Sequence, residues 1–311
     1  MTSEKHLQLK PKFLPFRIKA YLELVRPFTL LSPVIVAISG SLMSTLSHGQ
    51  PNRFFEGWEA VIKATVSLGL VQMCGQALNQ SEDPVELDVL NNKSYRPLPQ
   101  GKLTRRQARM FGWLIGLLAL ALSFTIHLTY GLGILLLLLF AVFYSVKPLR
   151  VKKRRVIGTI WLGVSRGLLP LPIVWSVFYS PFEDLPILLG IMLFFWVSGF
   201  QITKDFPDMK GDRAFDLPTF PVEYGVAKTK KFMQAMNVSA FIFLVVCILA
   251  RLLALSFALA LLLFPVGILV IRGISERPKK IKGIENSVEW AFFYIGLGFF
   301  YILFTLAVVM A

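Results

Sequence analysis

The sequence predicts an all-α, polytopic membrane protein with nine transmembrane helices. Three observations carry that prediction. Only 16% of the 311 residues are charged and 55% are hydrophobic, whereas soluble domains carry roughly 25% charged residues. So few charges cannot cover a water-facing surface. The apolar residues also fall into nine stretches, near 28–46, 58–79, 108–129, 131–146, 157–179, 186–204, 232–250, 252–271 and 288–310. Most come close to the roughly 20 residues a helix needs to cross a bilayer, and only helices satisfy their own backbone groups in lipid. Finally, the basic residues alternate with these stretches. Of 33 Lys and Arg, all but Arg53, Lys63, Arg166 and Arg251 lie in the N-terminal arm or after the second, fourth, sixth and eighth stretches. A nine-span chain puts those segments on one side, and the positive-inside rule makes that side the cytoplasm. Topology thus accounts for the net charge of +15. Membrane lipids, not nucleic acid, are the partners it implies.

The elements follow in order. Residues 1–27 form a cytoplasmic arm in which Phe13, Leu14, Phe16, Ile18, Tyr21, Leu22 and Val25 interleave with Lys12, Arg17, Lys19, Glu23 and Arg26. That pattern suits an amphipathic helix on the membrane surface. No short apolar core precedes a small-residue cleavage site, so a signal peptide is not expected. Residues 28–311 form the nine-span domain. The second span carries Gln72, Gln76 and Asn79 at helical spacing, and polar side chains in a span face the bundle interior or a cavity. The fourth span ends at Tyr144 and leads to Lys147 and Arg150. The adjacent cations of Lys152 to Arg155 read as topology and contact with anionic headgroups. Cys74, Cys247, His6, His48 and His127 are too scattered for a disulfide framework or a His-based metal site.

The acids are selective. Half of the 18 Asp and Glu residues occupy two loops: Glu82, Asp83, Glu86 and Asp88 after the second span, and Asp205, Asp208, Asp212, Asp216 and Glu223 after the sixth. Acids contribute little to topology. Asp205, Asp208 and Asp212 share one face of a helical turn, and Asn79 and Asp83 have the same i,i+4 relation. Pro84 makes the chain leave the helix near Asp83. Clustered carboxylates repel one another unless a cation sits among them, and oxygen ligands select hard ions such as Mg²⁺, which shares one or two carboxylates with substrate phosphates. With Lys93, Arg96, Lys204 and Arg213 the two loops make a site for a diphosphate held by magnesium, to which the loop after the fourth span adds Lys147, Arg150, Lys152 and Lys153.

These residues resemble the UbiA superfamily of intramembrane prenyltransferases. Asn79 and Asp83 match its first acidic motif, and Tyr95-Arg96-Pro97-Leu98-Pro99 matches the continuation. Gln80 stands where an Asp is common, and Asp88 lies five residues beyond Asp83 rather than four, which leaves Glu82, Glu86 or Asp88 to supply the remaining ligand. The second motif fits at Asp205, Asp208 and Asp212, with Lys204 and Arg213 beside it. Tyr144-Ser145, Lys147-Pro148 and Glu23-Leu-Val-Arg-Pro27 also look like the family. The resemblance implies two four-helix halves and a ninth helix around a central, lipid-open cavity. It implies transfer of an isoprenoid from a polyprenyl diphosphate donor to an acceptor, with Mg²⁺ held by Asn79, Asp83, Asp88, Asp205, Asp208 and Asp212. Asp83, Asp208 and Asp212 would serve catalysis, and Tyr144 would face the allylic cation. Asn79, Arg96, Lys147, Lys204 and Arg213 would bind the donor. The second motif looks nearer to the homogentisate, chlorophyll and geranylgeranylglyceryl phosphate branches than to the 4-hydroxybenzoate branch. Aromatic, quinone-precursor and glycerol-phosphate acceptors stay open. The alternatives are a CDP-alcohol phosphotransferase, whose paired acids form one contiguous stretch, and a secondary transporter, whose charges lie near the bilayer midplane.

Overall fold

The structure, a computed structural model, describes residues 14–275 and 287–311. Among these, nine helices are long and apolar enough to cross a membrane: Pro27–Ser47, Trp58–Glu82, Arg105–Phe124, Leu128–Ser145, Arg155–Trp175, Asp184–Asp205, Phe220–Leu249, Leu255–Gly273 and Val288–Val309. They are numbered here as spans one to nine. Each corresponds to a stretch expected from hydropathy.

Two spans depart from simple apolar runs. Span seven begins at Phe220, well before the apolar stretch that announced it, because its first turns carry Glu223, Lys228, Lys230 and Lys231. Gly225, at φ 76° and ψ 163°, interrupts it, a conformation open to glycine because it lacks a Cβ. Span five contains a π-helical segment, Val164–Leu168, between Arg155–Gly163 and Pro170–Trp175. Pro170 and Pro172 cannot donate to the preceding turn, and the π segment takes up the mismatch.

The spans close into a ring. Span two packs against spans one, three and four, and span six against spans five and seven. Span nine packs against both span one and span eight. Trp196, Phe241, Phe300 and Phe304 form the aromatic seam that joins spans six, seven and nine, with ring centroids 4.8–6.2 Å apart. Such offset and edge contacts add to area burial. Leu114, Leu117, Leu128, Leu249, Leu255 and Leu262 face outward, as lipid contact requires.

Residues 1–13 of the arm lie outside the described residues. Its helix, Leu14–Val25, does more than rest on a surface. Ala20 and Leu24 are buried against Ala77, Leu98, Leu103 and Ala108, while Ile18 and Leu22 stay exposed. Gln80 Nε2 donates to the Leu24 carbonyl at 2.6 Å, and Lys102 pairs with Glu23 at 2.7 Å. The arm is thereby fixed to the ends of spans two and three. Gln80, which stands at a common Asp position of the first motif, is used in this anchorage.

Candidate active site

Span two stays helical to Glu82, and Asp83, at φ −86° and ψ 151°, leaves the helix ahead of Pro84. The short helix Val85–Leu90 then turns Leu87 and Asp88 inward. Span six tightens at its end into the 3-10 turn Gln201–Asp205. Asp208 N donates to the Asp205 carbonyl at 3.2 Å and Asp212 N to the Asp208 carbonyl at 2.9 Å. That ladder stacks the three acids of the second motif on one face.

The two loops meet. Asn91 Oδ1 accepts from Gly211 N at 2.9 Å, and its Nδ2 lies 3.5 Å from Asp212 Oδ1. Lys93 pairs with Asp208 across the same junction. Thr219 Oγ1 donates to Asp212 Oδ2 at 3.2 Å. Arg96 Nη1 donates to Asp88 Oδ1 at 2.8 Å, and Lys204 pairs with its neighbour Asp205.

Asp83 is held from a third direction. Lys152 Nζ donates to both its carboxylate oxygens at 2.7 and 2.8 Å and to Asn79 Oδ1 at 2.7 Å. Arg150 Nη2 adds bonds to Asp83 Oδ1 at 2.9 Å and to the Glu82 carbonyl at 3.1 Å. Arg150 adopts the left-handed region at φ 39°. That conformation costs a non-glycine residue about 1–2 kcal/mol, offset by these charged bonds.

Most of these groups rim one chamber. Asn79, Asp83, Asp88, Lys93, Arg96, Lys152, Lys204, Asp205, Asp208 and Asp212 line its charged end. Val36, Leu68, Val71, Leu137, Phe140, Leu162, Phe293 and Leu297 line the rest. From Asp83 down span two to Leu68 the chamber runs about 22 Å by helix rise. Its volume, about 230 Å³, far exceeds the 10–15 Å³ that one buried water needs. It is therefore a ligand-sized chamber, with Tyr144 on its wall within electrostatic reach of Lys204, Asp205 and Arg166.

Burial sets the electrostatics of the rim. It pushes the Asp212 carboxyl up to about 8, reinforced by Asp208 and Asp205, and it raises Asp88. It also raises Asp83, but Lys152 and Arg150 outweigh it and hold that carboxyl below the usual range. Lys93 and Lys152 are both lowered by burial.

Three expectations need correction. Lys152 does not belong to a solvated run: its side chain is only 9% exposed, and it reaches into the chamber while Lys153, Arg154 and Arg155 stay exposed. The turn at Val151–Lys153 separates neighbours that composition makes look alike. Lys147 is exposed and lines a separate groove with Arg105, Arg109, Arg150 and Lys153, because the chain has already turned away from the chamber at Ser145. Arg213 is exposed and points away from the chamber that its neighbour Asp212 lines. Of the acids around Asp83, Asp88 lines the chamber, Glu86 is exposed, and Glu82 faces Arg109 at 2.9 Å. Asn91, Thr219, Arg26, Arg166 and Tyr294 also line the site and were not singled out for it. Only Arg166 had announced itself, as a charge inside an apolar stretch.

A chamber inside a helical membrane ring, apolar in depth and rimmed by two acidic loops interleaved with lysine and arginine, defines an intramembrane enzyme for an amphipathic anion. The UbiA prenyltransferase family model matches residues 30–293, and the chain belongs to that family. It is an integral membrane prenyltransferase, and the phosphotransferase and transporter alternatives are set aside by that membership. Over 233 residues it is 28% identical to a digeranylgeranylglyceryl phosphate synthase of Methanosphaera stadtmanae, covering 75% of this chain and 77% of that one. A homogentisate phytyltransferase of Synechocystis is 28% identical over 216 residues, 67% and 69% of the two chains. A protoheme IX farnesyltransferase of Listeria monocytogenes is 24% identical over 95% of this chain and 94% of its own. Among solved structures, a UbiA homolog from Archaeoglobus fulgidus bound to GPP and Mg²⁺ superposes with a TM-score of 0.68 at 20% identity, over 94% of this chain and 100% of that one. A digeranylgeranylglyceryl phosphate synthase superposes with a TM-score of 0.67 at 22% identity, over 95% and 99%. These structural likenesses bear on the fold.

Proposed function

We propose that the enzyme binds a polyprenyl diphosphate with its diphosphate at the charged rim and its chain in the apolar depth, and transfers the prenyl group to a small-molecule or lipid acceptor. The observation that carries this reading is the convergence of Lys93, Arg96, Lys152 and Lys204 on the rim of an otherwise apolar chamber. Four cations suit the diphosphate oxygens, and charged hydrogen bonds are the strong ones.

The residues present suit a divalent cation. Their donors are oxygens, and Asp208 Oδ1 is buried with no hydrogen-bond partner. Among the described residues no three His, Cys, Asp or Glu side chains form a metal cluster by themselves; a magnesium ion shared with substrate phosphates takes only one or two carboxylates. Asp205, Asp208 and Asp212 would hold it, with Asn79, Asp83 and Asp88 as the facing set. When bound, magnesium supplies positive charge that stabilises a departing diphosphate.

The protein's own groups do the rest. Lys152, fixed by Asp83 and Asn79, and Lys204, fixed by Asp205, hold the diphosphate. The C1–O bond breaks with its electron pair on the diphosphate. The apolar wall excludes water, and the Tyr144 ring faces the positive carbon. The acceptor atom bonds to C1 and its proton passes to the departing diphosphate. The relatives named above point to glycerol-phosphate or aromatic acceptors, and the basic residues of the loops support a site at the cytoplasmic surface. The test is a donor and acceptor screen with purified protein, read by mass spectrometry. Magnesium-dependent appearance of a prenylated product is expected; no product and no diphosphate release from any allylic donor would refute the reading.

A further inference from the structure

A second groove opens outside the chamber, between the start of span three and the turn after span four. Its volume is about 590 Å³, within the roughly 300–1,000 Å³ of small-molecule sites. Arg105, Arg109, Lys147, Arg150 and Lys153 line it, against two carboxylates, Glu82 and Asp83. Asp83 is already matched by Lys152 from the chamber side. The groove therefore carries an excess of positive charge that the rim leaves unused.

Its guanidinium groups are held in place. Arg105 Nε donates to the Ser81 carbonyl at 2.9 Å, and Arg109 Nη2 lies 2.9 Å from Glu82 Oε1. Arg150, fixed on Asp83 and the Glu82 carbonyl, keeps its Nε buried without a hydrogen-bond partner. A guanidinium offers five N–H donors, and these bonds occupy only part of each fork. Lys147 and Lys153 are exposed, and among the described residues no carboxylate pairs with either. The groove also continues onto a lipid-facing surface. Arg109, Trp113 and Leu117 follow one another at i, i+4 and i+8 on one face of span three, about 12 Å from end to end by helix rise. Trp113 lines the groove, and Met110, Leu114 and Leu117 beside it are exposed. Tryptophan favours the level of the lipid headgroups.

We propose that this groove is a binding site for an anionic phospholipid, with the headgroup phosphate among Arg109, Lys147, Arg150 and Lys153 and an acyl chain along Leu114 and Leu117. A free phosphate ester offers the same charge, but the order of cation, tryptophan and leucine down span three matches a phosphate joined to a hydrocarbon chain. Basic pockets between membrane helices take such headgroups. Guanidinium forks meet phosphate oxygens in pairs, and the positive excess repels the ammonium of a zwitterionic headgroup. The site lies outside the chamber, so it stands whichever substrates the chamber takes.

The test is lipid binding to the full-length protein in a non-ionic detergent, counted by native mass spectrometry. The probes are phosphatidylglycerol and phosphatidylcholine with the same acyl chains. The wild-type protein is expected to bind phosphatidylglycerol at least about tenfold more tightly. In the double variant Arg109→Gln with Lys147→Gln that preference should shrink below about threefold. Lys210→Gln with Lys228→Gln, which removes two exposed cations elsewhere, should keep it, and so should Lys152→Gln in the chamber. No preference in the wild-type protein overturns the proposal, and that comparison decides alone if the variants do not fold. Loss in Lys152→Gln but not in the groove variant would put the lipid in the chamber, and equal loss in both double variants would mean a diffuse surface charge; either result overturns the site. Soluble glycerol 3-phosphate at the lipid's own concentration should leave the lipid bound. Its displacement of the lipid would assign the groove to a free phosphate ester and overturn the lipid as its occupant.

Discussion

Asp208 presents one buried carboxylate oxygen without a partner and shares the other with Lys93. Replacing it by Asn removes the charge with little change in size. Asp208→Asn and Asp212→Asn are each expected to lower turnover by about 10²-fold or more, because the cation carries the leaving-group chemistry. Wild-type turnover in Asp208→Asn would remove it from the ligand set. Asp212 offers a second measurement. With its carboxyl pushed up to about 8 by burial, Asp208 and Asp205, it holds a proton at pH 7 that a bound cation must displace. Apparent magnesium affinity should therefore rise with pH, by at most about tenfold per unit for one released proton, and level off above about 8. A magnesium titration of donor binding at fixed ionic strength checks this; a flat profile would exclude Asp212. At the rim, Lys152→Ala should raise the donor KM or lower kcat by roughly ten- to a hundredfold, the worth of one charged hydrogen bond. Lys147→Ala should change either by less than about threefold, since Lys147 is exposed on another groove. Equal losses would mean that the rim acts as a diffuse field.

At the scale of elements, the π segment of span five and its glycine contact make a mechanical unit. Gly167→Ala would place a methyl carbon 2.6 Å from Leu193 O and 2.8 Å from the Phe194 Cα. Backbone atoms cannot swing aside as side chains do, so overpacking of about 1–3 kcal/mol is expected. It should appear as a lower Tm in detergent. An unchanged Tm would show that the two spans have room to part. Sequence reasoning could see the spans but not this unit, because a π turn has no compositional signature beyond the prolines that follow it. It also placed the start of span seven too late, because the charged residues of its first turns do not look like a span. In the site, the acids were legible through their spacing on helical turns. Their partners were not. Lys152 and Lys153 are identical in composition, and only the turn between spans four and five turns one inward. Asn91 acts through contacts with a loop more than a hundred residues away, which no local pattern encodes, and Thr219 through a bond to Asp212 seven residues before it.

At the scale of the whole molecule, nine apolar stretches and the alternation of basic loops were enough to place the nine spans, because lipid leaves the backbone few choices, while their closure around a chamber was implied only by the family resemblance. Sidedness is open to direct test. In a background lacking Cys74 and Cys247, Lys153→Cys and Lys210→Cys should react with a membrane-impermeant maleimide only from the cytoplasmic face, and Arg53→Cys only from the opposite face. Labelling of Lys153→Cys and Arg53→Cys from the same side would invert or break the nine-span order.

The pairing of Lys93 with Asp208 also bears on biogenesis. Lys93 is synthesised before span three and Asp208 only after span six, yet both end up largely buried. A lysine cannot give up its water without a counter-charge except at considerable cost. The loop after span two must therefore stay hydrated while the ribosome makes the next four helices. The rim cannot close before the loop after span six is made, so a chain truncated after span five should insert in the membrane yet expose that loop to protease.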